Sequence, residues 1–95
     1  EKWPGTPIVV NDTPAAFEAL ARAGLAYLND RPQIPPVLTI GCWNEWTEGH
    51  YLLPDTKHGF GMLRALGRAL ADSGIVVVSG MAVGADTAAH EGARA

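Results

Sequence analysis

Two short stretches, Val37–Leu38–Thr39–Ile40 and Ile75–Val76–Val77–Val78–Ser79, are apolar at nearly every position. Strands covered on both faces read this way, because none of their side chains has to meet water. Around them the period changes. Phe17, Leu20, Ala21, Leu25 and Leu28 fall on one helical stripe, and Leu63, Leu66 and Leu70 fall on another. Pro7–Ile8–Val9–Val10 adds a shorter apolar run ahead of the first stripe. Strand and helix patterns therefore alternate, and the expected fold is α/β, in the order β-α-β-α-β-α, with a small parallel sheet and right-handed crossovers. Three strands leave two open edges. Self-association is expected to relieve them, as a dimer through a sheet edge or by segment exchange.

Punctuation supports the helices. Asn11–Asp12–Thr13–Pro14 offers a cap at Asp12 or Thr13 and a proline for the first turn. Asn29–Asp30–Arg31–Pro32 ends that helix, and Pro35 and Pro36 keep the connection non-helical. Pro54–Asp55–Thr56 is a second turn-and-cap signal, followed by Gly59 and Gly61. The second helix should run to about Ser73, with Arg64 and Arg68 on the wet side and Gly74 in a left-handed conformation after its end. Gly80–Met81–Ala82–Val83–Gly84 is a small-residue loop, and a last short helix begins near Asp86.

Ninety-five residues make one domain, 1–95. The net charge is −3 and the seven Lys and Arg residues are scattered, so there is no electrostatic footprint for nucleic acid. Cys42 is the single cysteine, which excludes an internal disulfide and a cysteine-rich metal cluster. His50, His58 and His90 show no ligand spacing, so neither a metal nor a cofactor is expected. The apolar runs are too short to cross a bilayer, and Glu1–Lys2–Trp3–Pro4–Gly5 lacks the apolar core of a leader. A soluble, cytoplasmic protein with no membrane partner is expected.

The chemistry concentrates in Cys42–Trp43–Asn44–Glu45–Trp46–Thr47–Glu48–Gly49–His50–Tyr51, which follows the second apolar run. In parallel α/β folds the loops after strand C-termini hold the ligand. Glu45 and Glu48 are three residues apart, and one helical turn would bring them together. A retaining glycosidase needs two carboxyl groups about 5 Å apart, one protonating the leaving oxygen and one attacking. Trp43, Trp46 and Tyr51 offer flat faces on which sugars stack, and Asn44 can hold a hydroxyl. The alternative is that the glutamates cap amides or face water while the tryptophans fill the core.

Residues 6–70 resemble the last part of the glycoside hydrolase family 99-like proteins of the WbsX type. Asn11–Asp12–Thr13–Pro14–Ala15–Ala16–Phe17, Trp43–Asn44–Glu45–Trp46–Thr47–Glu48–Gly49 and Tyr51–Leu52–Leu53–Pro54–Asp55 carry the likeness. The resemblance implies a (β/α)₈ barrel with Glu45 as the base acting at the sugar 2-hydroxyl and Glu48 as the acid/base. Leu53 stands where relatives often carry a glutamate, which bears on the substrate subsite. A full barrel takes about 250 residues, and this chain supplies two or three of its eight units. Without a pocket to position substrate, the carboxylates lose most of their effect.

Residues 69–95 resemble a different family, the DNA-processing protein A (Smf) type with a Rossmann-like domain. The segment from Leu70 to His90 carries the likeness, and Ser79, Gly80, Gly84 and Asp86 match its phosphate-binding strand end. The earlier Gly-Ser-Arg motif of that family is absent, and nucleic acid is not an expected partner. A tight strand-to-helix turn that needs glycine is the alternative role for this loop.

Two likenesses meeting inside one helix point to an engineered or recombined α/β chimera, 1–68 barrel-derived and 69–95 Rossmann-like. No robust activity of its own is expected, and the carboxylate pair is a remnant. The rivals are a glycoside hydrolase fragment, endo-mannosidase-like and active on assembly, and a nucleotide or single-stranded DNA binding module. Carbohydrate is the candidate small partner.

Overall fold

Thr13 starts the first helix. In the computed structural model, which describes residues 9–95, its side-chain oxygen accepts the Ala16 amide at 3.1 Å and caps α1 (Pro14–Asn29). Pro14 fits the first turn, where a missing N–H costs no hydrogen bond. Asp30 ends the helix and Pro32 prevents its continuation. Ala21 and Leu25 are buried and Phe17 and Leu28 half-buried, as the stripe predicts, whereas Leu20 is exposed.

A hairpin follows the proline-rich connection. β1 (Asn44–Glu45) and β2 (His50–Tyr51) pair antiparallel, joined by a 3₁₀ turn over Trp46–Glu48 and a left-handed Gly49. α2 (Gly61–Asp72) buries Leu63, Ala65, Leu66, Gly67 and Ala69. Its end is a full Schellman arrangement. Gly74, at φ 76°, gives its amide to Ala71, and the Ile75 amide reaches back to Leu70 at 2.9 Å. α3 (Ala85–Arg94) begins at Gly84, with Asp86 in its first turn and Arg94 in its last. Both charges suit the helix dipole.

The core lies between the helices. Leu52, Leu63 and Ala88 form one cluster, and Ala21, Leu66 and Ala69 form another. Phe17 packs against both and joins them. α2 is the central element, packed on α1 and on α3. Ion pairs tie its sides: Glu18 to Arg68 at 2.9 Å and Arg22 to Asp72 at 2.6 Å toward α1, and Arg64 to Glu91 at 2.7 Å toward α3. Arg64 and Arg68, expected in water, are half-exposed and paired.

The protein is thus mixed in class, with helices and a small antiparallel sheet. The expected parallel sheet does not form among the described residues. Residues 37–41 and 75–79 carry no ladder, and Val37, Ile40, Ile75, Val76 and Val78 are exposed. Of the first expected strand, Pro7 and Ile8 lie outside the described residues, and Val9 and Val10 are exposed without a partner strand. The physical reason is that a strand needs a neighbour for its amides, and here the helices pack on each other instead. The radius of gyration is 14.6 Å, against about 12 Å for a compact domain of this length. No described helix is long and apolar enough to cross a membrane.

Candidate functional site

The loop singled out by its composition is the hairpin. Its register sets Asn44 opposite Tyr51 and Glu45 opposite His50. Gly49 makes the turn possible, since its φ of 67° is a conformation that residues with a β-carbon rarely adopt. The Trp43 carbonyl accepts the amides of Leu52 and Leu53, at 3.0 and 3.2 Å, and fastens the base of the hairpin to the core through buried Leu52.

Asp55 organises the next turn. Its Oδ1 accepts the amides of Lys57 and His58, and its Oδ2 accepts the Tyr51 hydroxyl at 2.9 Å. The His58 amide and the Tyr51 hydroxyl hold the Asp55 carboxyl below the usual carboxylate range. The same bond to Asp55 pushes the Tyr51 hydroxyl above its ordinary value. Lys57 in turn pairs with Asp12 at 2.9 Å, and its hydrogen bond holds Asp12 low. This chain of bonds ties the hairpin to the segment before α1.

Between them lies a cavity of about 710 Å³ that is open to solvent. Phe17, Leu20 and Met62 give it an apolar wall, and Asp12, Glu48, His50 and Tyr51 give it polar groups. Leu20 is therefore exposed for a reason: it faces this cavity instead of the core. Trp46 stacks on Tyr51 with ring centroids 4.2 Å apart and planes at 27°. Trp43 and Trp46 are half-exposed, at 54% and 48%, so these two do not fill the core.

The two glutamates have different surroundings. Glu48 lies in the 3₁₀ turn and borders the cavity; Glu45 does not border it. Instead, Glu45 falls together with Cys42 and His50, with donor atoms all within 4.8 Å of one another. That grouping escaped the reading of spacings, because positions 42, 45 and 50 converge only once the chain reverses at Gly49. The sequence signal was the glycine at a hairpin turn.

The second candidate loop stands apart. The walls of the cavity include no residue from 79–86. Ser79 Oγ lies 2.9 Å from His90 Nε2 and accepts the Met81 amide at 3.1 Å. Asp86 Oδ2 accepts the Ala82 amide at 3.1 Å, and a side chain on Gly80 would meet that same oxygen at 3.7 Å. Gly84 takes φ 108° at the start of α3, a conformation that favours glycine, although no strand precedes the turn. A carboxylate of the chain itself thus stands at the helix N-terminus, where a phosphate would be held.

A family model described as glycosyltransferase WbsX matches residues 2–66. A second, described as DNA recombination-mediator protein A, matches residues 55–95. The matches correspond to the two likenesses in the sequence and overlap over residues 55–66, which include the Asp55 turn and the first half of α2. No curated protein and no solved structure matches the chain. Matches to two different families within 95 residues are consistent with a fragment or chimera. By a match that spans more than half of its length, the chain belongs to the glycosyltransferase WbsX family.

Proposed function

We propose that this chain is a recombined α/β protein carrying an incomplete carbohydrate site, one that binds a sugar weakly and does not turn it over alone. The observation that carries the reading is the cavity bordered by Glu48 and Tyr51, with Trp46 stacked on Tyr51. An apolar wall beside a carboxylate and aromatic faces suits a pyranose, whose two faces are apolar and whose rim is polar. Glu45 and Glu48 are the candidate catalytic pair, with Trp43, Asn44, Trp46 and Tyr51 as substrate-binding residues. The family description speaks of transfer, whereas the glutamate pair suits hydrolysis; both act on a glycosidic bond.

The missing part is structural. In this reading residues 37–41 and 75–79 are strands of a parallel sheet that lacks its neighbours, and the first belongs to a (β/α) barrel. Their exposed valines and isoleucines support it. α2 is the junction, with the segment after it of Rossmann-like descent. Such edges also favour a second copy of the chain as partner.

The experiment is a titration of the chain with mannose and short mannosides, followed by amide and indole NMR shifts. The reading expects saturating shifts of Trp46, Glu48 and Tyr51 at millimolar sugar, diminished in Trp46→Ala. Shifts confined to residues outside the hairpin and cavity would contradict it.

A further inference from the structure

Cys42, Glu45 and His50 present a thiol, a carboxylate and an imidazole at the base of the hairpin, with their donor atoms all within 4.8 Å of one another. Two features of the backbone hold them there. Glu45 and His50 are partners across the ladder, so the turn at Gly49 fixes their separation. Gly41 lacks the side chain that would collide with the imidazole: a β-carbon there would stand 2.9 Å from Cε1 and 3.0 Å from Nε2 of His50.

We propose that these three side chains form a binding site for a divalent transition-metal ion of borderline softness, zinc being the type. The donor set argues for that class. Calcium and magnesium take oxygen ligands, whereas a thiolate with an imidazole selects zinc-like ions. Bonds of about 2.3 Å to sulfur and about 2.0 Å to nitrogen place donors about 3.5 Å apart in a tetrahedron. A closing movement of about 1 Å in an exposed two-residue ladder brings the observed donors to that spacing. Cys42 is half-buried and the other two are exposed, so the ion enters from solvent. Three protein ligands leave a fourth position for water.

The site has a consequence for the loop. A bound ion occupies the Glu45 carboxylate and leaves Glu48 on the cavity wall, so metal loading and carbohydrate chemistry through Glu45 exclude one another. The metal site does not depend on the carbohydrate reading, because its donors are present whether or not the cavity takes a sugar.

The test is a titration of the full chain, reduced and stripped of metal, with Co²⁺, then competition with Zn²⁺. One ion per chain is expected, with a cobalt–thiolate charge-transfer band and the intense visible absorption of four-coordinate cobalt, both abolished by zinc. Cys42→Ser removes the thiolate band. His50→Ala weakens binding strongly, and Gly41→Ala, which displaces the ring without removing a ligand, weakens it less than His50→Ala does. His90→Ala, outside the cluster, binds as the parent does, and circular dichroism of each variant reports whether α1 to α3 persist. The absence of a thiolate band overturns the proposal, as does equal affinity in the parent, Cys42→Ser and His50→Ala.

Discussion

Gly92 of α3 lies directly against the backbone carbonyl of Arg64 in α2, while Gly67 of α2 lies against the carbonyl of Ala89 in α3. The contact is reciprocal: each helix has a glycine where the backbone of the other leaves no room for a β-carbon. All four residues lie within the second family match, residues 55–95. Helix propensity alone favours alanine over glycine by about 1 kcal/mol. Overpacking costs about 1–3 kcal/mol and outweighs it here, since backbone cannot yield as a side-chain tip does. Gly92→Ala and Gly67→Ala are therefore each expected to lower the urea midpoint. A raised midpoint would show that α2 and α3 do not touch there.

Glu18 predicts the acid limb of stability. Its carboxylate pairs with Arg22 at 2.6 Å and Arg68 at 2.9 Å, and these guanidinium bonds hold it below the ordinary carboxylate range. A carboxyl with a lowered folded pKa binds fewer protons folded than unfolded. It therefore contributes stability that is fully present above its unfolded pKa, at about pH 4, and lost as the pH falls through the lower folded value. In Glu18→Gln the melting temperature should fall less steeply between neutral pH and pH 3 than in the parent. Parallel curves would remove Glu18 from the linkage.

Asp55 is predicted to matter more than its neighbour Lys57. Asp55→Ala frees the amides of Lys57 and His58 and the Tyr51 hydroxyl together, whereas Lys57→Ala removes an exposed ion pair to Asp12. Tryptophan emission should change in Asp55→Ala, because Tyr51 loses its anchor beneath Trp46, and stay close to the parent in Lys57→Ala. The reverse order would place the hold on the hairpin elsewhere.

The loop before α3 is expected to ignore nucleic acid. Asp86 puts a carboxylate in the first turn of α3, where it takes the loop amide of Ala82, and the net charge of −3 repels phosphate. Fluorescence anisotropy of a labelled single-stranded oligonucleotide at low salt should stay flat. Binding that weakens with salt, and strengthens in Asp86→Ala, would reverse this conclusion.

What the sequence made legible was what is decided locally. Thr13 with Pro14, Gly74 after α2 and the leucine stripes are signals that the chain reads within one or two turns, and α1 and α2 stand where those signals put them. The strands depend on partners far along the chain. Nothing within Ile75–Ser79 says whether a neighbour will come, and among the described residues it does not. Leu20 kept its place on the stripe but faces a cavity, because the stripe is wider than the helix–helix seam. At the site, the aromatic and acidic content of residues 43–51 marked the stretch that the structure folds into the hairpin. The placement of His50 opposite Glu45 required the turn at Gly49.

In the function proposed above, the glutamates survive in a site too open to work. The measurement that reaches it most directly is release of the leaving group from an activated aryl mannoside, for the parent, Glu45→Gln and Glu48→Gln at equal concentration. All three are expected to stay at the rate of the buffer, even at sugar concentrations where Trp46 and Tyr51 respond to binding. Saturable release by the parent that vanishes in both variants would contradict it.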